Sequence, residues 1–86
     1  MNKKTYTAGN IAIEDIKPGD THYEYEYGCC IKTTVLTVPT FRNGVWSWTS
    51  VTTTGKQINY TIDPEYSYYG PKLYDYEAYV GCKIIE

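Results

Sequence analysis

Few side chains in this 86-residue chain are of a type suited to catalysis, and they cluster early. His22 is the one histidine. It opens the stretch THYEYEYG (21–28), whose strict alternation puts His22, Glu24 and Glu26 on one face of a strand and Tyr23, Tyr25 and Tyr27 on the other. Two carboxylates two residues apart stand roughly 7 Å from each other, a spacing that acid–base pairs use. The same pattern also describes a solvated polar face carrying an exposed histidine, and that is the reading adopted. Cys29, Cys30 and Cys82 are an odd number, and two are adjacent. Adjacent strand residues point to opposite faces, so neither a disulfide framework nor a zinc site with His22 is expected. Thr54-Gly55-Lys56 lacks the upstream glycine and the following hydroxyl of a phosphate-cradling loop. No catalytic residue, metal ligand or cofactor is therefore assigned, and the chain is read as a non-enzymatic protein.

The aromatic residues are the stronger signal. Eleven tyrosines and two tryptophans exceed what so short a chain can hide, because each ring can bury on the order of 150–250 Å². Rigid aromatics left at the surface are typical of contact surfaces. Trp46, Trp48, Pro64, Tyr66, Tyr68, Tyr69, Tyr74 and Tyr76 come together if the loop 63–71 folds back over the strands before it, and these eight are the candidate binding residues.

The elements that must position them are strands. Residues 45–62 (VWSWTSVTTTGKQINYTI) alternate apolar and small polar side chains, with a break at Gly55-Lys56, and read as a β-hairpin. Trp46 and Trp48 share one face, and Val45 and Val51 the other. If the valine face is core, the tryptophans floor a groove under the loop. If the tryptophan face is core, that groove vanishes and the loop tyrosines make the contacts. Upstream, Lys17-Pro18-Gly19-Asp20 is a turn, 30–38 a strand ended by Pro39, and Asn43-Gly44 a second turn. Gly28 marks a bend. Residues 63–71 read as loop, 72–74 as strand followed by a helical turn capped by Asp75, and 80–85 as a last strand. The whole is one domain, 1–86, with 1–9 a frayed extension. Five or six short strands in this length predict an all-β fold, a small antiparallel barrel or strongly bent sheet with at most one short helical turn.

Some of these stretches also resemble a known family. Leu73-Tyr74-Asp75-Tyr76-Glu77-Ala78 is similar to the ALYDYEA opening of Src-homology-3 domains. Ile16–Asp20, Trp46-Ser47-Trp48 with Thr53-Thr54-Gly55, and Tyr60–Tyr66 resemble further parts of that family, in circularly permuted order. The resemblance implies an SH3-like barrel that binds proline-rich peptides between Tyr74, Tyr76, Trp46, Pro64 and Tyr66. In style the chain also looks like the short tyrosine-rich β proteins of bacteriophages and mobile elements.

Charge narrows the partner. A net charge of −2 without a basic run argues against duplex DNA. No apolar run approaches the length of a membrane span, and no secretory pattern opens the chain, so a soluble protein in the cytoplasm of a bacterial host is expected. The expected activity is binding through the aromatic surface, in the manner of a phage accessory factor that inhibits a host defence protein. The alternatives are capture of a nucleotide or single strand by stacking, with Arg42, Lys56 and Lys72 near the phosphates, and recognition of proline-rich peptide. Exposed strand edges make a homodimer a further expectation.

Overall fold

A computed structural model describes residues 4–26, 29–77 and 83–85. Seven strands form one sheet: β1 Thr21–Glu26, β2 Cys29–Val35, β3 Thr40–Arg42, β4 Val45–Thr52, β5 Gln57–Ile62, β6 Leu73–Tyr74 and β7 Lys83–Ile85. β4 organises it, as the 45–62 pattern predicts. One side of β4 pairs with β5 from Trp46 opposite Ile62 to Val51 opposite Gln57. Its other side pairs first with β3 and then with β2. β1 follows β2, and β6 lies beyond β1. All these pairings are antiparallel; β7 alone runs parallel, beside Cys29–Ile31. Among the described residues β5 and β6 do not meet, so the sheet is open rather than the closed barrel or strongly bent sheet expected.

Turn chemistry sets the register. Asn43 and Gly44 have φ of 54° and 81°, the two positive values that a two-residue hairpin turn requires between β3 and β4. In the longer turn between β4 and β5, Thr52 N donates to Lys56 O at 2.8 Å, and Gly55 takes φ 90°. β2 and β3 follow one another along the same side of β4. Thr49 O accepts from both Leu36 N (2.8 Å) and Thr37 N (3.3 Å), a bulge that bends the strand before Pro39.

One face of the sheet is core. Trp48, Tyr60, Ile62, Val35 and Leu73 are buried on it, and Trp46 and Ile58 pack against them. The tryptophan face is thus the inside, and the two-tryptophan groove floor does not form. A strap of residues 4–16 covers this face with Ile11, Ile13 and Ile16, each buried. Full burial of each such side chain contributes roughly 1.5–3 kcal/mol. The strap is a tight reversal, with Thr7 N donating to Ile11 O at 2.9 Å and Ile13 N to Thr5 O at 2.8 Å, followed by a 3₁₀ turn at Ile13–Asp15. Lys4 pairs with Asp15 at 2.9 Å, so the described part of the expected frayed extension is tied down.

The strap also borders β6. Ala8 N donates to Pro71 O and Asn10 N to Leu73 O, each at 3.0 Å. Asn10 Nδ2 donates to Asp75 Oδ1 at 2.9 Å, and Asp75 N donates to Asn10 Oδ1 at 3.1 Å. Gly9 makes this approach feasible: a Cβ there would fall on the Leu73 carbonyl.

Among the described residues the helical content is two short 3₁₀ segments, and the part of the expected turn beyond residue 77 lies outside them. The second, Pro64–Tyr69, occupies what reads in sequence as loop. Residues 75–77 are not helical. Tyr27, Gly28 and Cys82 lie outside the described residues.

Replacing Gly9 by Ala should displace the strap from β6 and cost about 1–3 kcal/mol, as forced overpacking does. Urea denaturation reads this directly, and wild-type stability in Gly9→Ala would contradict the close approach.

Candidate functional site

The strand pattern at 21–26 has the expected period but the opposite sidedness. His22 stands opposite Thr33, and Glu24 opposite Ile31 on β2 and Leu73 on β6. Leu73 and Thr33 are buried, so the His/Glu face is the inner one. His22 is 5% exposed, not the surface histidine expected. Glu24 is half-buried and accepts a 2.7 Å hydrogen bond from the Tyr60 hydroxyl. That bond reaches from β5 across β4 and β2 to β1. Ser50 and Thr33, small and fully buried, occupy the inner face of those intervening strands and leave room for the ring.

Burial constrains both titratable groups of this inner layer. Burial holds the His22 imidazole below its ordinary pKa of 6.5, opposed only in part by Asp20 and Asp75, and Nδ1 has no hydrogen-bond partner among the described residues. Burial, and then the Glu24 carboxylate, push the Tyr60 hydroxyl far above its usual range, so it stays a proton donor to Glu24. Cys30 is fully buried and registers with Tyr25, on the face away from His22. Cys29 is on His22's face but pairs with Glu26, four positions along, roughly 13 Å by strand rise. No nucleophile–base pair forms from these groups. Among the described residues no three His, Cys, Asp or Glu side chains are grouped to hold a metal.

The exposed aromatics collect elsewhere. Asp63 caps the Pro64–Tyr69 segment by accepting from Glu65 N at 2.9 Å, and Pro64 takes the first position, where its missing N–H costs nothing. The segment projects Tyr66, Tyr68 and Tyr69 outward, at 60%, 80% and 81% exposure. Gly70, close against Ile62, returns the chain to the sheet as β6. The result is a groove of about 670 Å³ at the β6 margin, lined by Tyr25, Tyr68, Tyr69, Lys72, Tyr74 and Tyr76, with Ala8 and Gly70 at its base. Tyr68 and Tyr69 meet edge to face at 5.3 Å, and the rings of Tyr74 and Tyr76 stand 5.7 Å apart. Among the described residues Lys72 is the one charged residue in the lining.

Of the eight residues singled out in sequence, four line this groove: Tyr68, Tyr69, Tyr74 and Tyr76. Trp48 is core at 3% exposure and stacks near Tyr60, with ring centres 5.5 Å apart. Trp46 is half-buried beside Phe41 at 5.2 Å. Pro64 borders a different hollow, with Phe41, Asn43 and Glu65. Tyr66 is exposed outside the groove lining. The five walls implied by the peptide-binding resemblance are therefore dispersed: Trp46 is on the inner face of β4, and Tyr74 on the outer face of β6 with β2 and β1 between them. Tyr25 belongs to the groove although sequence reasoning passed over it, and Lys72, one of the three cations expected near a nucleotide's phosphates, lines it as well. The Asp63-Pro64 pair was the available signal that 64–69 is a structured turn and not a slack loop. No family model matches the chain, and neither a curated protein nor a solved structure matches it.

The buried imidazole has a consequence for stability. With the folded pKa lowered below the unfolded value, the unfolded chain binds the extra proton first. The stability His22 contributes as a neutral group is complete above 6.5 and declines as pH falls toward the folded pKa. Urea midpoints taken from pH 7.5 to 5.5 should fall, with a slope from this group of at most about 1.4 kcal/mol per pH unit. His22→Gln should flatten the profile, and an unchanged slope would contradict the assignment.

Proposed function

We propose that this chain is a non-enzymatic binding module and that the tyrosine groove is its contact surface. One observation carries the reading: Tyr68, Tyr69 and Tyr76 stay more than half exposed beside Tyr25, Tyr74 and Lys72, although the core of the same chain is short of apolar residues. Leaving such rings in water forgoes burial that a small domain needs. A partner that covers them recovers it, at a site where tyrosine is the residue type most often responsible for affinity. The groove is low in charge and wide, which suits a protein surface. The narrower reading, an accessory factor of phage type that blocks a host defence protein, supplies a partner class and rests on the chain's style alone.

Lys72 favours a second reading, capture of a nucleotide. A base stacked on one ring pair contributes about 1–3 kcal/mol, and the ammonium group is available to a phosphate.

Passing bacterial lysate over immobilised protein separates the two. Tyr68→Ala with Tyr69→Ala should weaken capture of a specific protein roughly thirtyfold, with the circular dichroism unchanged. Undiminished capture would sink the groove as the contact surface. In the second reading the wild type instead shows fluorescence quenching by nucleotide below about 1 mM, lost in Lys72→Ala.

A further inference from the structure

The β6 and β5 margins of the sheet are treated differently. At the β6 side the strap occupies the edge, with Ala8 and Asn10 donating to Pro71 and Leu73. At the other margin β5 has no strand beyond it among the described residues. The Thr52–Lys56 hydrogen bond fixes which main-chain groups face outward there. Hydrogen-bonded pairs alternate along an antiparallel ladder, so Ile58, Tyr60 and Ile62 turn their main-chain groups toward β4. Gln57, Asn59 and Thr61 turn theirs out, and all three residues are exposed.

Proteins usually blunt such an edge with a charge, a proline, a bulge or a very short strand. β5 has none of these. It is six residues long and regular, and Gln57–Ile62 carries no charge, proline or glycine. The charges stand just outside its ends, Lys56 before it and Asp63 after it.

We propose that the β5 edge is a self-association surface, on which a second copy of this chain docks antiparallel about a two-fold axis at Asn59. A two-fold axis perpendicular to the sheet pairs residues of like facing, which selects the register with Asn59 opposite the partner's Asn59. Gln57 then lies opposite the partner's Thr61, and the outward groups form about six main-chain hydrogen bonds. On the inner face Ile58, half-buried in the single chain, comes to lie beside the partner's Tyr60. Antiparallel pairing also brings each Lys56 within one position of the partner's Asp63, so the flanking charges are complementary at both ends. The two tyrosine grooves stay at the outer margins of the joined sheet, and the association is independent of the groove's role.

Sedimentation velocity of the whole chain tests this. The expected result is a dimer at concentrations up to about 1 mM. Asn59→Lys places two ammonium groups face to face on the axis and should raise the dissociation constant at least about tenfold, with the circular dichroism kept. Tyr68→Ala with Tyr69→Ala should leave the dimer intact. If Asn59→Lys does not fold, amide exchange in the wild type decides: Gln57, Asn59 and Thr61 should gain protection as concentration rises. A monomer throughout the range, an Asn59→Lys dimer as tight as wild type, loss of the dimer in the groove variant, or concentration-independent exchange at those three amides would each overturn the proposal.

Discussion

An open sheet offers two faces, and among the described residues the apolar core gathers on one of them. The isoleucine strap decides which. Ile11, Ile13 and Ile16 are the largest aliphatic block that does not belong to a strand, and they cover the face that carries Trp48, Tyr60, Ile62, Val35 and Leu73. Everything on that face is committed to the interior, including polar groups that alternation places there. Most of the other face, and of the turns, must survive in water, with buried Cys30 an exception. The division of the aromatics follows from this single contact: both tryptophans go inward to differing depth, and the tyrosines of 64–76 remain outside.

Committing the inner face has a polar cost, met only in part within the sheet. The pattern that gives β1 its strand also carries His22 and Glu24 under the strap. Tyr60 resolves the carboxylate by reaching three strands to donate to it, over the small Ser50 and Thr33. His22 is resolved by staying neutral. Both solutions serve packing, although these residue types were the ones that first suggested chemistry.

Period-two alternation, Asn43-Gly44, Gly55 and Pro18-Gly19 made the strands, their turns and the central hairpin legible from sequence, because each depends on local dihedral preference. Sidedness was not legible in THYEYEYG. Tyrosine is at home on either face, so the strand offers no clearly apolar side, and the register against β2 settles the matter. Closure was not legible either, since whether the outer strands meet depends on long-range geometry that the strap and the bulge at Leu36-Thr37 govern. The candidate site was half legible. The loop tyrosines Tyr66, Tyr68 and Tyr69 looked hard to bury and are exposed, while the tryptophans and Pro64, grouped with them on the expectation that the loop folds back over the hairpin, lie elsewhere.

The account of function rests on one partition, tryptophan and Tyr60 inside against groove tyrosines outside. Limited nitration with tetranitromethane, followed by peptide mass spectrometry, measures it ring by ring. Tyr68 and Tyr69 should be modified first and Tyr76 soon after, with Tyr60 spared until the fold is lost, because it is both covered and held protonated by burial and by Glu24. Modification of Tyr60 in the folded protein at the rate of Tyr68 would contradict the partition, and with it the proposal that the groove is a contact surface.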